Sequence, residues 1–135
     1  MSKKKTAIYC RIASMTECDH IGMEQQKEGL VRFAKEQGYQ NIECYCDLGC
    51  SGMTIKGRIA LEKLLQDVKA GEVKRVIVRS ISRLSRDLAD GYRLLNEFNI
   101  NNVDFIMQND PGLNVNMCMK KLGQIWYAIG ENENE

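Results

Sequence analysis

Serines, joined by arginines at two of the sites, recur at three places in this 135-residue sequence, each just after a short apolar run. The first is Arg11-Ile12-Ala13-Ser14, the second Asp47-Leu48-Gly49-Cys50-Ser51-Gly52, and the third Arg79-Ser80-Ile81-Ser82-Arg83-Leu84-Ser85-Arg86-Asp87. Hydroxyls beside several guanidinium groups make a chemistry aimed at phosphate. The planar fork of arginine forms paired hydrogen bonds to phosphate oxygens and stays charged at any working pH. Arg83 and Arg86 are three apart, so on a helical turn they face the same way. A metal-dependent phosphodiesterase needs several convergent carboxylates. Asp47 alone stands in such a position, and His20 is the only histidine, so the residues point to a reaction without a metal.

Taken singly, each feature has an ordinary structural reading. Arg-x-x-Arg on a helix is usually a solvated face, and a serine after a strand is usually a cap or a turn residue. Asp47 before Gly49 reads equally well as a turn-forming aspartate. Together at one sheet edge, they point to phosphate. The six cysteines do not add a zinc site: Cys46 and Cys50 have an acceptable gap, but no second ligand pair exists. Cys44 and Cys46, two apart, fall on one face of a strand as reduced core thiols.

The elements that must position these groups follow from periodicity. Thr6–Cys10, Ile42–Cys46, Val76–Val78 and Val103–Met107 read as strands, the second of them half exposed. Between them, Gly22–Gly38 sets Met23, Leu30, Phe33 and Ala34 on one helical face, with Gly38 as the stop. Arg58–Ala70 does the same with Leu61, Leu64, Leu65 and Val68 before Gly71. A third helix starts at Asp87 with Leu88, Leu95 and Phe98 inward, and Asp110-Pro111-Gly112 makes a turn. A last helical stretch carries Met117, Leu122, Ile125, Trp126 and Ile129. Strand–helix alternation of this kind gives an α/β fold: a mainly parallel, four- to five-stranded sheet with helices on both faces. In such folds ligands sit beyond the carboxyl ends of the strands, where all three serine-bearing segments fall.

Composition sets the frame. A chain that is 44% hydrophobic and 27% charged, with one proline, suits one globular domain. No apolar run approaches the roughly 20 residues of a membrane span, and no signal-peptide core follows the basic N-terminus, which points to the cytoplasm. The net charge of +1 conceals an asymmetry. Residues 1–93 hold 17 basic and 12 acidic side chains; residues 94–135 hold 2 and 6. A basic working half and an acidic end are compatible with a polyanionic substrate.

The ordered segments Tyr9-Cys10-Arg11-Ile12-Ala13-Ser14, Gln25-Gln26, Asp47-x-Gly49-x-Ser51-Gly52, Arg58 and Ser82-Arg83-Leu84-Ser85-Arg86-Asp87 resemble the catalytic domain of the serine recombinases, the resolvase and invertase family. The long loop before Gln26 resembles the large-serine-recombinase branch. The resemblance implies site-specific recombination of double-stranded DNA through a 5′-phosphoserine intermediate, with no metal or cofactor. It implies Ser14 as nucleophile, with Arg11, Arg58, Arg83 and Arg86 around the phosphate. Asp47 would orient an arginine or handle a proton, and Gln26 and Ser51 would hold the site together. It also implies a homodimer that assembles to a tetramer on DNA. Residues 1–110 are then the catalytic domain, and 111–135 the start of a dimerisation helix, with the DNA-binding domain absent. Two positions depart from the family pattern. Ala13 stands where the serine belongs, with Ser14 one residue later, and Ser82 replaces an aspartate. Either the loop is shifted by one residue, or the nucleophile is lost and the chain is a catalytically silent regulatory or dimerisation module.

Overall fold

The computed structural model describes residues 4–12, 17–48, 58–80, 88–109 and 111, the side chains of 17–20, 48 and 88 excepted. Strands β1 (Lys5–Ile12), β2 (Ile42–Leu48), β3 (Val73–Val78) and β4 (Asp104–Met107) alternate with helices α1 (Glu17–Glu36), α2 (Ile59–Lys69) and α3 (Leu88–Ile100). The strands form one parallel sheet in the order β2-β1-β3-β4. The chain leaves β1 for β2 on one side and then returns to β3 on the other. The carboxyl ends of β1 and β3 therefore flank the switch point where ligands bind in open α/β sheets.

Both faces of the sheet are covered, which explains the near-continuous apolar runs of β1 and β3. Ile8, Cys10 and Ile77 pack with Met23, Leu30 and Ala34 of α1 on one face. Ala7, Tyr9, Val76 and Phe105 pack on the other with Leu61, Leu64 and Val68 of α2 and with Leu94, Leu95 and Phe98 of α3. The sheet and helix assignments match the periodicity except that α1 starts at Glu17, five residues before Gly22, and Phe33 and Leu65 complete their faces as partly buried neighbours. Gly38 (φ 81°) and Gly71 (φ 77°) end α1 and α2 in the left-handed region, as their spacing predicts. Asn102 (φ 57°) ends α3 in the same way, and the Val103 amide donates to the Phe98 carbonyl at 2.8 Å.

Two strand expectations change. β1 and β2 run beyond their apolar residues, so Arg11 and Asp47 lie inside the strands rather than in the loops after them. Tyr45 is buried, not exposed, because its hydroxyl finds partners inside: Oη lies 2.6 Å from Asp67 Oδ2 and 2.9 Å from Glu43 Oε2. The turn at 110–112 and the stretch 117–129 fall outside the described residues, apart from Pro111, as does Asp87.

Asp67 anchors α2 to the strands. Its carboxylate accepts from Lys5 Nζ at 3.1 Å, Lys63 Nζ at 3.0 Å and the Tyr45 hydroxyl, and Lys5 also pairs with Glu43. Burial alone would raise its pKa, but the bonds from Tyr45, Lys63 and Lys5 outweigh it and hold the group at about 2. A folded pKa below the unfolded value gives stability that is present above about pH 4 and is lost as pH falls through 2. Acid titration of unfolding should therefore show a loss of about 2 kcal/mol across this window. In Asp67→Asn that slope should flatten; an unchanged slope would place the acid sensitivity elsewhere.

Candidate active site

At the carboxyl ends of β1 and β2 the fold buries three charged side chains together: Arg11 at 0% exposure, Arg58 at 1% and Asp47 at 4%. Charges leave water only where partners compensate them. Arg11 and Asp47 are register partners across the β1–β2 ladder. Strand alternation places both on the face that carries Tyr9, beneath the start of α2.

Asp47 binds the start of α2. Its Oδ1 accepts from the Ala60 amide at 2.8 Å, and its Oδ2 accepts from the Leu61 amide at 3.1 Å. These are two of the amides that a helix leaves without internal partners. The residue at the capping position is Arg58, whose side chain makes no capping bond. A carboxylate from β2 thus performs the task that a local Ser, Thr, Asp or Asn usually performs, and position 58 is released to hold an arginine.

Tyr9 connects the two charges. Its hydroxyl donates to Asp47 Oδ2 at 2.7 Å and accepts from Arg58 Nε at 3.1 Å and Nη2 at 2.7 Å. The guanidinium also lies over the tyrosine ring, with Cζ 5.2 Å from its centroid. Burial pushes the Tyr9 pKa well above the usual phenol value; the hydrogen bond to Asp47 adds to this, and Arg58 opposes it. The phenol therefore keeps its proton at working pH and serves as a bridge, not as a nucleophile. The sequence signal for this role is Tyr9 two residues before Arg11, which puts both on one strand face.

On the α1 side of the same sheet edge lies a cleft of about 440 Å³ lined by Ile12, Gly22, Gln25, Gln26, Arg79 and Gln108. It opens at the β1–β3 switch point. Gln26 Oε1 is buried there and accepts no hydrogen bond among the described residues. Four of the eight candidate site residues, Arg11, Gln26, Asp47 and Arg58, are thus described; Arg11, Asp47 and Arg58 come together, and Gln26 lines the adjoining cleft. Ser14, Ser51, Arg83 and Arg86 lie outside the described residues. The strands that precede them in sequence, β1, β2 and β3, end at this same edge.

The sequence model of the resolvase N-terminal domain matches residues 6–133, nearly the whole chain. The chain belongs to the resolvase family of serine recombinases. Solved structures agree with this assignment. The N-terminal catalytic domain of TP901-1 integrase is 29% identical over 97% of each chain, with a TM-score of 0.79. A resolvase family site-specific recombinase from Streptococcus pneumoniae is 28% identical, over 98% of this chain and 91% of that one, with a TM-score of 0.79. A serine recombinase from Sulfolobus solfataricus is 26% identical over 78% and 68%, with a TM-score of 0.65. No curated protein sequence matches the chain. Among its described residues no helix is long and apolar enough to cross a membrane.

Proposed function

We propose that this domain cuts and rejoins double-stranded DNA during site-specific recombination, with Ser14 as the nucleophile. The observation that supports it best is the buried Arg11–Asp47–Tyr9–Arg58 group at the switch-point edge of a resolvase-type sheet. In this reading the Ser14 oxygen attacks a backbone phosphorus, a P–O bond to the neighbouring sugar breaks, and a free 3′-hydroxyl leaves. The 5′-phosphate stays on the serine. The ester retains the bond energy, so the reverse attack by a 3′-hydroxyl reseals the strand without ATP. Arg11, Arg83 and Arg86 stabilise the charge that builds on the non-bridging oxygens, and Arg58 extends that positive shell.

The protein's own contribution is preorganisation. Arg58 is fixed by two hydrogen bonds and a ring contact, so it does not reorganise when the phosphate arrives. Asp47 positions the start of α2 and, through Tyr9, the Arg58 guanidinium, and Gln26 and Ser51 complete the wall of the site. The domain acts in the cytoplasm on DNA, as a dimer that pairs into a tetramer across two sites.

End chemistry tests this directly. Nicks or breaks made on the recombination site by the protein that carries this domain should have 3′ ends that a polymerase extends and 5′ ends blocked by protein. Free 5′-phosphates beside a 3′-linked protein would refute the reaction. A silent module would yield no breaks at all.

A further inference from the structure

Cys10, Cys44 and Cys46 take no part in the arrangement above, yet they form a cluster on the opposite, α1 face of the same strands. Cys10 of β1 and Cys46 of β2 are direct register partners. Adjacent strands lie about 4.8 Å apart, within the Cα separation of about 4.4–6.8 Å that a disulfide spans. Both side chains pack on the same, α1 face of the sheet. Cys44 is placed differently: its register partner on β1 is Ile8, which offers no sulfur. The geometry points to Cys10 and Cys46 as an oxidant-sensitive dithiol, with Cys46 the attacking thiol and Cys10 the resolving one.

The chemistry fits the placement. Cys46 is partly exposed, and Cys10 is fully buried. The neighbouring Cys10 thiol lowers the Cys46 pKa to about 7 against the opposing effect of burial; Lys27 of α1 lowers it further, and Glu24 and Asp47 oppose. Cys10 shifts the opposite way, because the neighbouring Cys46 and its own burial both favour the neutral thiol. With hydrogen peroxide as oxidant, the Cys46 thiolate takes one oxygen to become a sulfenic acid and hydroxide leaves; that hydroxide takes up the proton Cys46 released. The Cys10 sulfur then attacks the Cys46 sulfur: an S–S bond forms, the S–O bond breaks, and water leaves with the Cys10 proton. Two thiols are oxidised by two electrons, and the peroxide is reduced to two waters. The bond would tie β1 to β2 one residue before the Arg11–Asp47 pair.

This does not rest on the recombinase reading, because it is read by mass alone. The whole chain is treated with hydrogen peroxide at neutral pH, free thiols are alkylated, and peptides are mapped. The expected result is a loss of two hydrogens and a linked pair of peptides joining Cys10 to Cys46, reversed by a thiol reductant. Cys44→Ser should keep the link, whereas Cys46→Ser should lose it. Oxidation of Cys46 to sulfinic acid with Cys10 still alkylated only after unfolding would overturn the proposal. So would a Cys10 link that persists undiminished in Cys46→Ser.

Discussion

Replacing Asp47 by Ala is expected to cost the domain about 3 kcal/mol of stability, a fall in melting temperature of about 10 °C for a chain of this size. Three losses combine. The amides of Ala60 and Leu61 lose their acceptor at the start of α2, the Tyr9 hydroxyl loses the group to which it donates, and buried arginines lose a neighbouring carboxylate. Loss of a cap alone costs about 1 kcal/mol; a buried donor left unsatisfied costs about 1–3 kcal/mol. Asp47→Asn keeps one acceptor oxygen and should recover part of the loss. Calorimetric melting of the two variants checks this. A change of less than about 2 °C in Asp47→Ala would mean that the aspartate does not hold α2.

The second large effect concerns rate. Arg83→Ala and Arg86→Ala should each lower single-turnover DNA cleavage by at least about 10²-fold, the usual loss when one preorganised donor to a developing oxyanion is removed. Neither change should alter melting, since both residues follow β3 in a segment whose task in this account is to meet phosphate. Arg11→Lys keeps a positive charge but removes the planar fork, so it should lose nearly as much activity as a neutral residue would. Full cleavage by Arg11→Lys would show that only charge matters there. Full cleavage by both alanine variants would remove them from the site.

Much of the fold is legible in the sequence because burial and periodicity agree. Val76-Ile77-Val78 is apolar on both faces and is covered on both. Leu61, Leu64 and Val68 form the stripe that α2 buries. The strand ends are less legible, since an apolar run stops where charge begins. Arg11 and Asp47 continue their strands because they are buried with compensating partners, which only the tertiary arrangement supplies. The same limit hides the cap of α2: nothing local to Arg58 announces it, and the carboxylate that accepts from its first amides lies on β2. Tyr9 was visible as a motif residue, but its part as the bridge from Asp47 to Arg58 needs the three chains of contacts to meet. Asn102 shows a plainer case, an asparagine doing the work more often done by glycine.

Whether Ser14 carries the DNA is tested most directly by one measurement. The protein that contains this domain is trapped on its recombination site, the DNA is digested, and the adduct is mapped by peptide mass spectrometry. The expected result is a nucleotide phosphate on Ser14, absent in Ser14→Ala. An adduct on Ser51, Ser82 or Ser85, or one that survives undiminished in Ser14→Ala, would contradict it.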